Sequence, residues 1–203
     1  MQLWITTFTG LVALGISLYN FAALQGTPDI DAALPRLVTI EPRAPGGAVH
    51  FFLQPTLSAR HKTESIEVIT DAQLKLVPTG ATSARPEFYW LDSGDYVYDF
   101  ESNSDHWEKS SDPRPILVSQ DKPSLSTFNF NADKWSFSSG RYEGSLILHR
   151  SSGDPIIARF CLLVSDKDVK AFNKSAERSA FGLRNDVPST SAARNPGCYA
   201  SVA

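Results

Sequence analysis

Cysteine, basic charge and helical periodicity are all scarce in this chain. Two cysteines among 203 residues, Cys161 and Cys198, are too few for a disulfide framework and do not form a CxxC pair. A formal net charge of −3 and a pI near 5.8 lack the basic field of a nucleic-acid binder, so no nucleic-acid partner is expected. Catalytic signatures are missing as well: there is no G-x-S-x-G elbow, no phosphate loop, no G-x-G-x-x-G and no H-E-x-x-H. The histidines His50, His61, His106 and His149 are scattered without zinc-ligand spacing. These absences point away from an enzyme, with a hydrolase as the residual catalytic alternative. No cofactor is expected.

What is present begins with the uncharged run Leu3–Leu24, LWITTFTGLVALGISLYNFAAL. As a helix it would span roughly 33 Å, the thickness of a bilayer's hydrocarbon. Trp4, Tyr19 and Phe21 sit toward its ends as interface anchors do, and Pro28, Asp29 and Asp31 close it off. A cleaved signal peptide would need a basic n-region, a shorter apolar core and small residues at −3 and −1 of the cut. Cutting after Ala23 would put Phe21 at −3, and cutting after Ala22 would put Asn20 there. The expectation is therefore an uncleaved, single-pass anchor over residues 1–26, with the bilayer as partner. Its orientation stays open. Arg36 and Arg43 on the downstream side mildly favour a cytoplasmic domain, but the upstream tail is very short. At 100° per residue, Gln2, Thr6, Gly10, Ala13, Ser17 and Asn20 share one stripe, a candidate helix–helix interface.

Residues 27–36 read as a linker and Glu41–Gly47 as a turn-rich break. Beyond them come short apolar or alternating runs separated by Pro, Gly, Asn, Asp and Ser. Twelve Phe, six Tyr and four Trp lean the same way, toward β structure. Candidate strands are Leu37–Glu41, Ala48–Leu53, Ser65–Thr70, Gln73–Val77, Phe88–Leu91, Tyr96–Phe100, Ile116–Ser119, Ser126–Asn131, Tyr142–Arg150 and Pro155–Val164. The last two form the clearest hairpin: Tyr142, Gly144, Leu146 and Leu148 alternate with polar neighbours, and Ser151–Asp154 supplies the turn. Gly140-Arg141-Tyr142 resembles the start of the penultimate strand in immunoglobulin-like sandwiches, where a tyrosine caps the corner. That resemblance covers about 25 residues and implies an architecture, not an activity. The expected fold is mainly β, an antiparallel immunoglobulin-like sandwich over residues 37–178. Ser165 and Asp168 cap a short helix at its end, and residues 179–203 follow as a mobile tail.

Functional candidates cluster between residues 87 and 112, where eight acids face one base, Lys109. Tyr89, Trp90, Tyr96, Tyr98 and Trp107 are candidates for an aromatic ligand platform of the carbohydrate-binding kind. Asp99, Glu101, Asn103 and Asp105 place oxygens at alternate positions, as calcium loops do. Ser104 stands where such a loop turns on Gly, and Ser110 where it wants a bidentate Glu. Outside the cytoplasm Cys161 and Cys198 could pair; inside it they would stay thiols. The reading that follows is a non-enzymatic, membrane-anchored interaction or assembly module. Its alternative is an extracytoplasmic carbohydrate-type binding domain.

Overall fold

A computed structural model of the chain describes residues 2–26, 28–43, 47–60, 66–80, 85–100, 104–119, 123–174, 179–186 and 197–201. The uncharged N-terminal run forms helix α1, Gln2–Leu24. Its side chains at residues 8–22 are exposed, and Leu24 at its end is half-buried. Among the described residues no helix is long and apolar enough to cross a membrane. Thr9, Gly10, Gly15, Ser17 and Asn20 dilute the apolar stretch that sequence inspection read as continuous.

The rest is mainly β. The strands are β1 Ile30–Ala33, β2 Leu37–Pro42, β3 Ala48–Leu53, β4 Thr56–Ala59, β5 Glu67–Pro78, β6 Tyr89–Asp99, β7 Ser104–Ser111 and β8 Ile116–Val118. They continue with β9 Thr127–Asp133, β10 Gly140–Arg150, β11 Ile156–Val164, β12 Phe181–Arg184 and β13 Tyr199–Ser201. Helix α2, Asp166–Lys174, lies between β11 and β12. Eleven strands form one hydrogen-bonded sheet in the order β7-β6-β9-β3-β2-β12-β13-β11-β10-β5-β8, and β1 and β4 make a separate pair. Every described pairing is antiparallel except β11 with β13.

Strict alternation decides which face each strand buries. Val49, Phe51 and Leu53 of β3, Phe128 and Phe130 of β9, and Tyr142, Leu146 and Leu148 of β10 are buried together in one core. The sheet curls to make that core. In a flat sheet, strands four places apart would stand about 19 Å from one another. Here Phe51 of β3 and Phe160 of β11, four places apart in strand order, bring their ring centroids within 6.1 Å.

The hairpin expected near the end is β10–β11, closed at Leu148↔Ile156, with Gly153 at φ +79° in its turn. Tyr142 caps its corner. The hydroxyl donates to Ser138 O at 2.8 Å and accepts from Ser138 N at 2.9 Å. Helix α2 carries the expected reciprocal cap, with Ser165 N donating to Asp168 Oδ2 at 2.7 Å and Asp168 N to Ser165 Oγ at 3.2 Å.

Three expectations need correction. Residues 179–203 are not simply a mobile tail: β12 and β13 stand mid-sheet, and Leu183, Cys198 and Tyr199 are buried. Their runs are too short to show a period, and their order comes from partners far away in sequence. Tyr199 donates its hydroxyl to Pro35 O, and Ser201 Oγ donates to Asp168 Oδ1 at 2.6 Å. The expected linker 27–36 contains β1, which pairs with β4 from Ile30↔Ala59 to Ala33↔Thr56. Residues 104–111, left out of the candidate strands, form β7. Cross-strand pairing with β6 holds it extended despite its poor intrinsic β propensity.

Candidate functional site

The face of the sheet turned away from the core carries an unusual row of polar side chains. On β2, β3 and β9 alternation sends Glu41, His50, Phe52, Asn129 and Asn131 to this outer face. Such residues ought to meet solvent, yet none is more than 8% exposed. The cover comes from β6 and β7. Register shifts interrupt β6 twice, between Trp90 and Asp92 against β9 and between Ser93 and Gly94 against β7. The first leaves Leu91 as an extra residue on β6 and the second Ser110 as an extra residue on β7, and such bulges bend the strand and re-aim side chains. Trp90 stays in the core, edge-on to Phe128 at 5.1 Å, whereas Asp92 turns to the outer face opposite Asn129. At Gly94 any side chain would meet the β7 backbone, because an added Cβ would lie within 3 Å of Glu108 and Trp107 atoms. The hairpin therefore closes tightly and lays Tyr96 and Trp107 on Phe52, with ring centroids at 4.9 and 4.7 Å.

Beneath the hairpin is a cleft of about 370 Å³, lined by Glu41, Arg43, His50, Phe52, Leu91, Asp92, Asp105, His106, Trp107 and Asn129. A continuous hydrogen-bond chain runs along it. Asn129 Oδ1 meets His50 Nδ1 at 3.1 Å, and Asn129 Nδ2 donates to Asp92 Oδ1 at 2.9 Å. Trp107 Nε1 donates to the same carboxylate oxygen at 3.2 Å. Tyr96 donates its hydroxyl to Glu41 Oε1 at 2.7 Å and so ties the hairpin to β2. Burial pushes the His50 imidazole below its ordinary value, with Arg43 adding in the same sense. The Asn129 bond and the carboxylates of Glu41 and Asp92 oppose that without reversing it. Burial, with the bond to Glu41 second, raises the Tyr96 phenol well above its usual range, so it stays a donor.

No family model, curated protein or solved structure matches this chain.

The expected aromatic platform is divided. Tyr96 and Trp107 stand at the cleft, and Trp90 belongs to the core. Tyr89 lies on the outer face, accepting from Asn131 Nδ2 at 2.7 Å. The Tyr98 and Asp99 side chains, and Glu101 and Asn103, lie outside the described residues. Of the expected calcium ligands only Asp105 can be followed; it is exposed on β7 and lines the cleft. Among the described residues no three His, Cys, Asp or Glu side chains are grouped to hold a metal. Of the helix stripe, Gly10, Ala13, Ser17 and Asn20 are exposed, and the Gln2 and Thr6 side chains lie outside the description. Cys161 and Cys198 are joined in a disulfide.

Sequence reasoning missed His50, Glu41, Asp92, Asn129 and Phe52. One usable signal was the TFNFNAD run, where Asn129 and Asn131 alternate with core phenylalanines. Nothing local announced that the outward face would be covered.

Proposed function

We propose that this protein is a non-enzymatic, membrane-anchored recognition module that works outside the cytoplasm and binds its partner in the cleft under the β6–β7 hairpin. The observation that carries the reading is the bulge in β6. It turns Asp92 onto the outer face, into a buried polar chain that the core does not need. Burying the carboxylates of Asp92 and Glu41 without an ion partner among the described residues costs free energy that their neutral hydrogen bonds only partly offset. Bulges that re-aim side chains concentrate beside functional sites. Binding is favoured over catalysis because the internal donors are already committed to fixed acceptors, a rigid arrangement suited to recognition.

The β domain is read as an immunoglobulin-like sandwich. The contact of Phe51 with Phe160 across the curled sheet and the Tyr142 corner support this. Helix α1 is read as the anchor on its full length, 23 residues or about 34 Å, and its lack of charge, although among the described residues no helix is apolar enough to cross a membrane. The Cys161–Cys198 bridge supports an oxidising compartment. A carbohydrate ligand is the second reading, supported by Phe52 and Trp107 lining the cleft beside Asn129.

The test is made on the full chain in cells. It should resist carbonate extraction, and a reporter fused at the C-terminus should be active only outside the cytoplasm. A photo-crosslinking residue at position 106 should give discrete adducts that one at position 143, on β10, does not. Extraction by carbonate would remove the anchor, a cytoplasmic reporter the compartment, and identical adducts from both positions the cleft.

A further inference from the structure

The cleft is unbalanced in charge and in hydrogen-bonding capacity. Its lining holds three carboxylates, Glu41, Asp92 and Asp105, against one guanidinium, Arg43. Glu41 and Asp92 are only 7% and 8% exposed. Among the described residues neither is in an ion pair; the hydrogen bonds they receive come from neutral donors, Tyr96, Asn129 and Trp107. Glu67, the other buried glutamate of the core side, does have a nearby cation, Arg150 at 3.9 Å. Buried carboxylates on a cavity whose lining holds a single guanidinium leave an excess of negative charge that a further cation would offset. Trp107 Nε1 and Asn129 Nδ2 already donate to Asp92, and three carboxylates outnumber the one guanidinium. Two residues along β9 from Asn129, and outside the lining of the cleft, Asn131 Oδ1 is a buried acceptor with no partner among the described residues.

Which cation follows from the shape and the lining. No three ligating side chains converge on one point among the described residues, as a bare metal ion would require. The rings of Phe52 and Trp107 line the same space and suit the carbon stem and the charge of an alkylammonium. The surrounding hairpin adds Asp95 and Glu108, a negative field that draws cations toward the opening. Resting on the reading of the cleft as the binding site, we propose that it binds a primary alkylammonium group, its charge received by Asp92 and Glu41 and its stem lying against Trp107 and Phe52. The group could belong to a lysine side chain of a partner polypeptide or to a free diamine.

The experiment is calorimetric titration of the full chain in nanodiscs. The probes are 1,4-diaminobutane, the peptide acetyl-Gly-Lys-Gly-amide, their neutral counterparts 1,4-butanediol and the Nζ-acetylated peptide, and maltose. At least one ammonium probe should bind no less than tenfold more tightly than its neutral counterpart. Tighter binding of the peptide identifies a polypeptide source, and tighter binding of the diamine a free one. Asp92→Asn should weaken binding at least tenfold. Asp105→Asn, on the exposed rim where folding is not at stake, should weaken it about threefold. Equal affinity for charged and neutral probes, or no ammonium binding at all, would overturn the proposal. Binding of maltose alone would overturn the ligand class while leaving the cleft as the recognition site. Loss of the position-106 crosslinks would instead strike the cleft reading itself.

Discussion

Glu67 shows how a buried charge can be spent on structure. Its side chain is 0% exposed and accepts from Ser151 Oγ at 3.0 Å and from Ser152 Oγ at 2.7 Å, which fixes the β10–β11 turn. Burial alone would raise its pKa, but the bonds from Ser152, Ser151 and the Val68 and Ser152 amides outweigh that and hold it low. A carboxyl depressed in the fold stabilises above its unfolded value, and that contribution is lost as pH falls through the folded one. His50 is also depressed, so it resists the proton that the unfolded chain would accept. The two windows differ: stability should fall as pH drops below about 6.5 because of His50, and again below about 4.5 because of Glu67. Urea titrations across pH should show both slopes. His50→Gln should flatten the first and Glu67→Gln the second, while Glu67→Ala should lose about 3 kcal/mol at pH 7. A single unbroken slope, unchanged by either variant, would refute the assignment.

Among elements, one of the two shortest strands has the largest role. β13 is three residues long and is the link between β12 and β11, joining the two halves of the sheet. The disulfide from Cys198, just ahead of β13, to Cys161 of β11 spans 37 residues of sequence, for which chain entropy suggests about 4 kcal/mol of stabilisation. Reductant should lower the urea midpoint of the native chain accordingly and leave Cys198→Ser, already lowered, unmoved. Equal midpoints with and without reductant would show that pairing alone holds the strand. The parts that sequence revealed were those with a local cause: the alternation of β10, the Gly153 turn, the Ser165–Asp168 cap and the Tyr142 corner. β12, β13, β1 and β7 were not legible, because each depends on partners remote in sequence. The cleft was illegible for the same reason. A bulge at Leu91 breaks the period-two rule that placed Trp90 and Asp92 on one face, and cover by a neighbouring hairpin leaves no trace in composition.

For the whole molecule, the curled sheet has one core shared by both halves, from Phe128 and Phe51 to Phe160 and Tyr199. Neither half keeps a dry face if the other leaves, so the β domain should unfold in one cooperative step. Tryptophan fluorescence and far-ultraviolet dichroism should give coincident transitions; separated midpoints would mean two units. The position of β13 also governs how the chain can be made. β2 finds its neighbour β12 only after more than a hundred residues have followed it, and residues 199–201 come after all their partners. During synthesis the seam therefore stays open until the ribosome has passed Ser201, with β12 and β11 each presenting an unpaired edge. Such nascent edges invite pairing with other chains. A chain stalled or nicked just short of β13 would consequently be a more sticky species than one cut early, and cells making this protein would gain from a holdase that shields those edges until the last strand arrives.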